Sequence, residues 1–188
     1  MPALRADRRV ERTRQALLRA FVELLLSEDL EHVTVAAIVA RADVGRSTFY
    51  THFRGRDDIL KASLTFSSAP LARIVGEPAL DAAALLPLLD HFRGQRRLAR
   101  AFTQGALRRL WASRLAEMMA PDVAALARRP RARPLLPVAL VSLEVAELQI
   151  ALIVHWLAAR EPVPPQAVAE ALIALTGAAV AALLPRSA

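Results

Sequence analysis

The sequence predicts an all-α protein, and three observations carry that expectation. Helix formers, Ala and Leu above all, dominate a composition that is 55% hydrophobic and only 5% aromatic. β-branched residues seldom gather into runs of the kind a strand needs. Apolar side chains recur instead at helical spacing, as at Leu17, Phe21, Leu24 and Leu25. A chain of 188 residues folds as one domain or two small ones and buries a substantial core.

Taken in order, residues 1–7 read as a disordered tail. A first helix is expected over residues 8–26, with that Leu/Phe stripe facing inward. After a loop at 27–33, Thr34 is a helix N-cap type, followed at helical spacing by Val35, Ile38, Val39 and Ala42. Asp43 then stands where a chain reversal wants a left-handed residue, a conformation Asp tolerates better than most. A second short helix over 45–52 carries Phe49 and Phe53 inward, four apart on one face. Arg46, Ser47, Thr48, Tyr50, Thr51 and His52 remain outside. Two short helices joined by a tight turn, with hydrogen-bonding side chains on the open face, suit a DNA major groove. The turn at 54–56 leads into a fourth helix with Asp57 and Asp58 at the positive end of its dipole. Its end is expected at Ser67 or Ser68, before Pro70.

Further along, Gly76, Glu77 and Pro78 mark a loop, and a helix over 81–92 must kink or start late at Pro87. A short helix over 96–103 and a longer one from about residue 104 follow, with a restart at Pro121. Residues 129–134 read as a surface loop, since two prolines and three arginines do not pack. Two long helices, 136–160 and 165–184, close the chain, with Pro165 suited to a first turn.

The run ADVGRSTFYTHFRGRDDIL resembles the DNA-binding signature of the TetR family of bacterial transcriptional regulators. Tyr50, Phe53, Arg56, Asp57 and Ile59 take the places of that pattern. Asp43 stands where the family usually has Gly, and Gly45 where it usually has a Ser or Thr cap; both substitutes are compatible with a turn. The segment VHWLAAREPVPPQAVAEAL is similar to the family's C-terminal dimerisation helices. The resemblance implies a three-helix DNA-binding domain over residues 1–62 and a helical effector-binding and dimerisation domain over 63–188. It implies roles for eight residues. Thr34 caps its helix and touches a phosphate, Arg46, Ser47 and Thr48 lie nearest the base edges, and Tyr50, His52 and Arg56 meet phosphates. Thr51 faces out toward either, and Arg46 is the candidate for a bidentate guanine contact.

Charge adds less. The formal net charge is +7 and the sequence pI about 11.3, which suits a polyanionic partner. Residues 1–62 hold eleven basic and nine acidic residues, so only two of the seven surplus charges lie there. The absence of Cys excludes disulfides, thiolate catalysis and Cys-based metal sites. The four His residues, at 32, 52, 91 and 155, show no paired metal spacing, and no nucleophile elbow or phosphate loop is present. No enzyme activity and no cofactor is expected. No apolar stretch at the N-terminus resembles a signal peptide, and charged and polar residues interrupt the apolar segments near 135–159 and 167–184. A cytoplasmic protein without a membrane partner is expected.

Phe92, Phe102, Trp111 and Met118, with Glu144 and Glu147, are candidate walls of a ligand pocket, against the plainer reading of core aromatics and of carboxylates paired with Arg108 or Arg109. Ile150, Ile153 and Leu157, with Ala174, Ala178 and Ala181, are candidates for a dimer interface, small residues letting helix backbones approach. The arginines at 96, 97, 100, 108, 109 and 114 read as a solvated helix face. The expected function is a homodimeric, ligand-responsive regulator, a repressor on a palindromic double-stranded DNA operator, its small-molecule effector unidentified. The alternatives are a DNA-binding regulator without such an effector, or a helical binding module that has lost DNA binding.

Overall fold

A computed structural model describes residues 2–25, 27–28, 30–77, 79–94 and 105–185. Eight α-helices account for most of them: α1 (Pro2–Leu25), α2 (Val35–Ala42), α3 (Arg46–His52), α4 (Arg56–Gly76), α5 (Leu86–Gly94), α6 (Gly105–Ala127), α7 (Val138–Ala158) and α8 (Pro165–Leu183). Among the described residues there is no β-strand. The chain packs as two compact units, residues 1–64 and 65–188, so the division falls inside α4.

In the first unit α1 packs on α2, and α2 on α3. Leu17 and Phe21 of α1, Ile38 of α2, Phe49 of α3 and Ile59 of α4 are each fully buried. Burial stabilises the unit by about 1.5–3 kcal/mol per large side chain of this kind. α1 begins earlier than the sequence suggests, at Pro2 rather than after a disordered tail. Proline in the first turn gives up an amide that has no helical partner anyway.

In the second unit α6 lies along α7, and α8 packs on α7 and α5. Trp111, Leu115 and Met119 from α6 meet a core to which α7 contributes Val145 and Ile150, and α8 contributes Leu172. The core includes one polar bridge. Gln149 Nε2 donates to Thr176 Oγ1 at 2.8 Å and to the carbonyl of Leu71 at 3.4 Å, tying α7 to both α8 and α4. Three prolines in helices behave in two ways. Pro87 does delay its helix: a 3-10 turn at Ala82–Leu85, capped by Asp81, precedes α5. Pro70 and Pro121, by contrast, sit inside α4 and α6 without ending them. An interior proline costs about 3 kcal/mol. Beyond Pro70 the helix buries Leu71, Ile74 and Val75, and beyond Pro121 it buries Val123, so tertiary burial offsets the local cost. The expected helix over 96–103 lies outside the described residues.

Candidate nucleic-acid interface

Local chemistry sets the geometry of the α2–α3 pair. Thr34, extended at φ −107° and ψ 157°, accepts the amide of Ala37 on Oγ1 at 3.1 Å and so caps α2. That bond uses the oxygen as acceptor, which leaves the hydroxyl hydrogen free to donate to a phosphate. Asp43 ends α2 in the left-handed region at φ 52° and ψ 49°, its amide reaching back toward Ala40. Val44 donates to Val39 at 3.1 Å, and the chain reverses. Gly45 opens α3 at φ −71°, without a side-chain cap.

Phe49 fixes the rotation of α3. Its ring is wholly buried and meets Phe53 at 5.7 Å and Tyr50 edge-on at 5.4 Å. Arg14 of α1 lies over the Phe53 ring at 4.9 Å, a cation–π contact at the end of the helix. With Phe49 inward, Arg46, Ser47, Tyr50 and Thr51 are exposed, Tyr50 to 51%, while Thr48 and His52 are half-buried. Thr51 Oγ1 donates to the carbonyl of Ser47 at 3.1 Å, which keeps its hydrogen occupied. Arg46 enters no ion pair among the described residues. Its guanidinium fork therefore faces outward with its charge uncompensated.

Arg56 is more constrained than the sequence suggested. It donates to the carbonyls of Leu30 and Glu31, each at 3.4 Å, and stands 3.7 Å from Asp57, so it braces the loop before α2. Asp58 takes the amide of Arg54 at 3.0 Å and fixes the turn between α3 and α4. That turn leaves the Arg54 side chain exposed with no ion pair among the described residues, a cation the sequence reading passed over. Its signal was the basic turn itself, read there only as a break between helices.

The expected pocket residues do not converge in the same way. Phe92 and Trp111 are buried against each other, ring centroids 5.5 Å apart, as core. Met118 is half-buried and Glu144 exposed. Glu147 pairs with Arg108, whose Nε and Nη2 both donate to Oε2, which is the plainer of the two readings. Phe102 lies outside the described residues. A cavity in the second unit is lined by none of these residues. Among the interface candidates, Ile150 and Ile153 are buried in the chain's own core and offer no surface to a second copy. Leu157 is half-buried, and Ala174, Ala178 and Ala181 are exposed. α7 and α8 are each long and apolar enough to cross a membrane, with 44% and 22% of their most apolar windows buried. Among the described residues no group of three or more His, Asp or Glu is placed to share a metal ion.

Residues 17–63, spanning the site just described, match the model of the bacterial regulatory proteins of the tetR family. The chain is 35% identical over 66 residues to YxbF of Bacillus subtilis (strain 168), an uncharacterized HTH-type transcriptional regulator; the match covers 35% of this chain and 17% of that protein. It is 34% identical over 86 residues to the HTH-type transcriptional regulator TcmR of Streptomyces glaucescens, covering 43% of this chain and 38% of that protein. Both matches thus span well under two thirds of the relative's length. The fold is similar throughout to a TetR transcriptional regulator from Streptococcus agalactiae 2603V, with a TM-score of 0.56, 22% identity, and 93% and 98% of the two chains covered. Both relatives are HTH-type transcriptional regulators. Residues 17–63 are thus similar to the DNA-binding domain of the tetR family of bacterial regulatory proteins.

Proposed function

We propose that the chain is a homodimeric, ligand-responsive transcriptional regulator, a cytoplasmic repressor, that lays α3 in the major groove of a palindromic operator. The observation that carries this reading is the outward row of α3, in which Arg46, Ser47, Tyr50 and Thr51 are exposed around the buried Phe49. Arg46 reads a guanine through two parallel hydrogen bonds. Thr34, Tyr50 and Arg54 hold the phosphates on either side, fixing register without reading sequence. Ser47, Thr48 and Thr51 complete the contact, with His52 at its edge.

Two such helices must be held at the spacing of successive major grooves, about 34–36 Å. The exposed aliphatic faces of α7 and α8 support a two-fold contact. Leu143 is 38% exposed and Leu175 is 44% exposed, beside Ala174 and Ala178. A four-helix seam of this kind buries what a monomer leaves wet. An effector bound in the second unit would favour one spacing of the α3 pair over another, through α4, which belongs to both units.

Selection of a binding site from random duplexes tests the reading, and an inverted repeat is the expected product. Arg46→Ala should then cost about 1–3 kcal/mol per half-site at one base position, flattening specificity there. Tyr50→Phe should weaken binding evenly across sequences. If no duplex is selected, or Arg46→Ala leaves the specificity profile intact, the assignment of α3 fails.

A further inference from the structure

A cavity of 420 Å³ opens within the second unit. Three helices and a loop build it. Ile74 and Val75 come from the last turn of α4, Leu126 from the last turn of α6, and Ile173, Val180 and Leu184 from α8 and its C-cap. The volume falls in the range of about 300–1,000 Å³ usual for small-molecule sites. Thr176 is the polar side chain of its floor, and its oxygen already accepts the hydrogen bond from Gln149. The body of an occupant therefore meets side chains that, Thr176 and Arg129 apart, are aliphatic.

The rim has one sign of charge. Arg129 lines the cavity, and among the described residues no carboxylate does. Asp122, one turn before Leu126, has its carboxylate packed against Gly76, where a Cβ would come within 2.8 Å of Oδ2. Arg129 enters no ion pair among the described residues. Its backbone is held in place. The amide of Ala132 donates to the Arg129 carbonyl at 3.1 Å, closing a turn with Pro130 and the left-handed Arg131, φ 65°, at its centre. Beyond the turn, Arg133 donates to Pro185 at 2.8 Å and Leu135 to Leu183 at 3.0 Å, which pins the loop along the end of α8. Arg128, Arg131 and Arg133 crowd the same loop, and all three are exposed.

On α8 the cavity and the proposed dimer seam use different flanks. At about 100° per residue, Ile173, Gly177, Val180 and Leu184 centre roughly 110° away from Ala174 and Ala178. Only Ala181 reaches toward both.

We propose that this cavity binds the effector, and that the effector is a small amphipathic monoanion: an aliphatic or aryl carboxylate, its apolar body between α4, α6 and α8 and its head on Arg129. The proposal rests on the ligand-responsive reading above and names the ligand class for it. A cation of the same shape meets like charge at Arg129. A neutral analogue buries the same apolar surface but leaves the guanidinium unpaired.

Calorimetric titration of the full chain with octanoate, octanol and octylammonium tests it. The expected result is one octanoate per chain, with octylammonium at least about tenfold weaker. Arg129→Gln, at an exposed position, should weaken octanoate by about tenfold and leave octanol unchanged, as loss of a charge-assisted hydrogen bond requires. Gly177→Leu extends into open space beside the cavity and adds a helix former, so it should keep the fold and exclude all three probes. Failure of octanoate to bind, or equal binding of octylammonium, overturns the proposal. So does octanoate affinity untouched by both variants, or a second copy of the chain filling the groove in a crystal. Operator binding read in parallel separates the two conclusions. A chain that binds its selected operator but ignores octanoate sinks only the ligand site, and one that binds octanoate but selects no operator sinks only the regulator.

Discussion

α3 and α8 invert each other's chemistry. α3 hides its phenylalanine, Phe49, and displays Arg46, Ser47, Tyr50 and Thr51. α8 hides its hydroxyl, Thr176, and displays Ala174, Leu175, Ala178 and Ala181. A helix that leaves donors and a cation in water loses nothing while it waits for a hydrated polyanion. One that leaves aliphatic side chains in water is less stable until another apolar surface covers them. On the proposed function the two helices take different partners, DNA for the first and a like chain for the second. Either partner would stabilise the folded chain by mass action, the second by covering apolar surface that water otherwise meets.

The largest effect that breaks this contrast is a charge on α8. Ala178 is exposed, so Ala178→Arg should leave the protomer folded. In a closely packed two-fold seam the same substitution buries an unpaired charge twice, costing several kcal/mol. Sedimentation should show monomers, and operator affinity should collapse because each α3 then binds alone. A variant that sediments as a tight dimer moves the seam off α8 and leaves its aliphatic face to be explained in another way.

The inversion also separates what was legible in the sequence from what was not. The α2–α3 pair is written in local code. Thr34 caps, Asp43 turns left-handed and Phe49 points in, each for reasons contained within a few residues. The second unit is written in contacts between distant segments. Pro70 and Pro121 look like helix ends until the burial of Leu71 and Val123 is known. Glu147 could have faced a cavity or an arginine, and only the approach of α6 to α7 decides for Arg108. The cavity draws on residues some fifty positions apart along the chain, with nothing periodic to announce them. Ile150 and Ile153 failed as interface candidates for a related reason: helical spacing finds the apolar side of α7 without saying whether the chain or its copy covers it.

An intermediate effect tests how far local code alone holds the first unit. Asp43 sits at φ 52°, where a side chain branched at Cβ is strained. Asp43→Val should destabilise the α2–α3 pair by about 1–2 kcal/mol, and Asp43→Gly should be neutral or slightly stabilising. Hydrogen exchange of the α2 and α3 amides reads this directly, without assuming that the two units unfold together. Equal protection in the Val and Gly variants would mean that the core around Ile38 and Phe49, and not the turn, sets the angle between the helices.

The smallest effect lies in α4, whose two ends belong to different units. Asp57 and Asp58 stand in its first turn, where the helix dipole favours them. Glu77, just past the last turn, stands at the wrong pole and is held by Arg73, whose Nε and Nη2 reach the two carboxylate oxygens at 2.9 Å each. The hydrogen bonds from Arg73 hold the Glu77 carboxyl below its ordinary value, against a smaller opposing contribution from burial. A carboxyl depressed in the folded state adds stability above its unfolded value, and that contribution is lost as pH falls through the folded one. The pair is half-exposed, so solvent and salt screen it and the denaturation midpoint at neutral pH should barely respond to Glu77→Gln. The site-resolved titration is the sensitive readout. Followed by NMR, Glu77 should protonate at lower pH than an ordinary glutamate, and Arg73→Gln should return it to the usual range or above. A Glu77 titration unmoved by that substitution would show that the ion pair does not persist in solution, and the end of α4 would then depend on packing, including the burial of Leu71, Ile74 and Val75, without it.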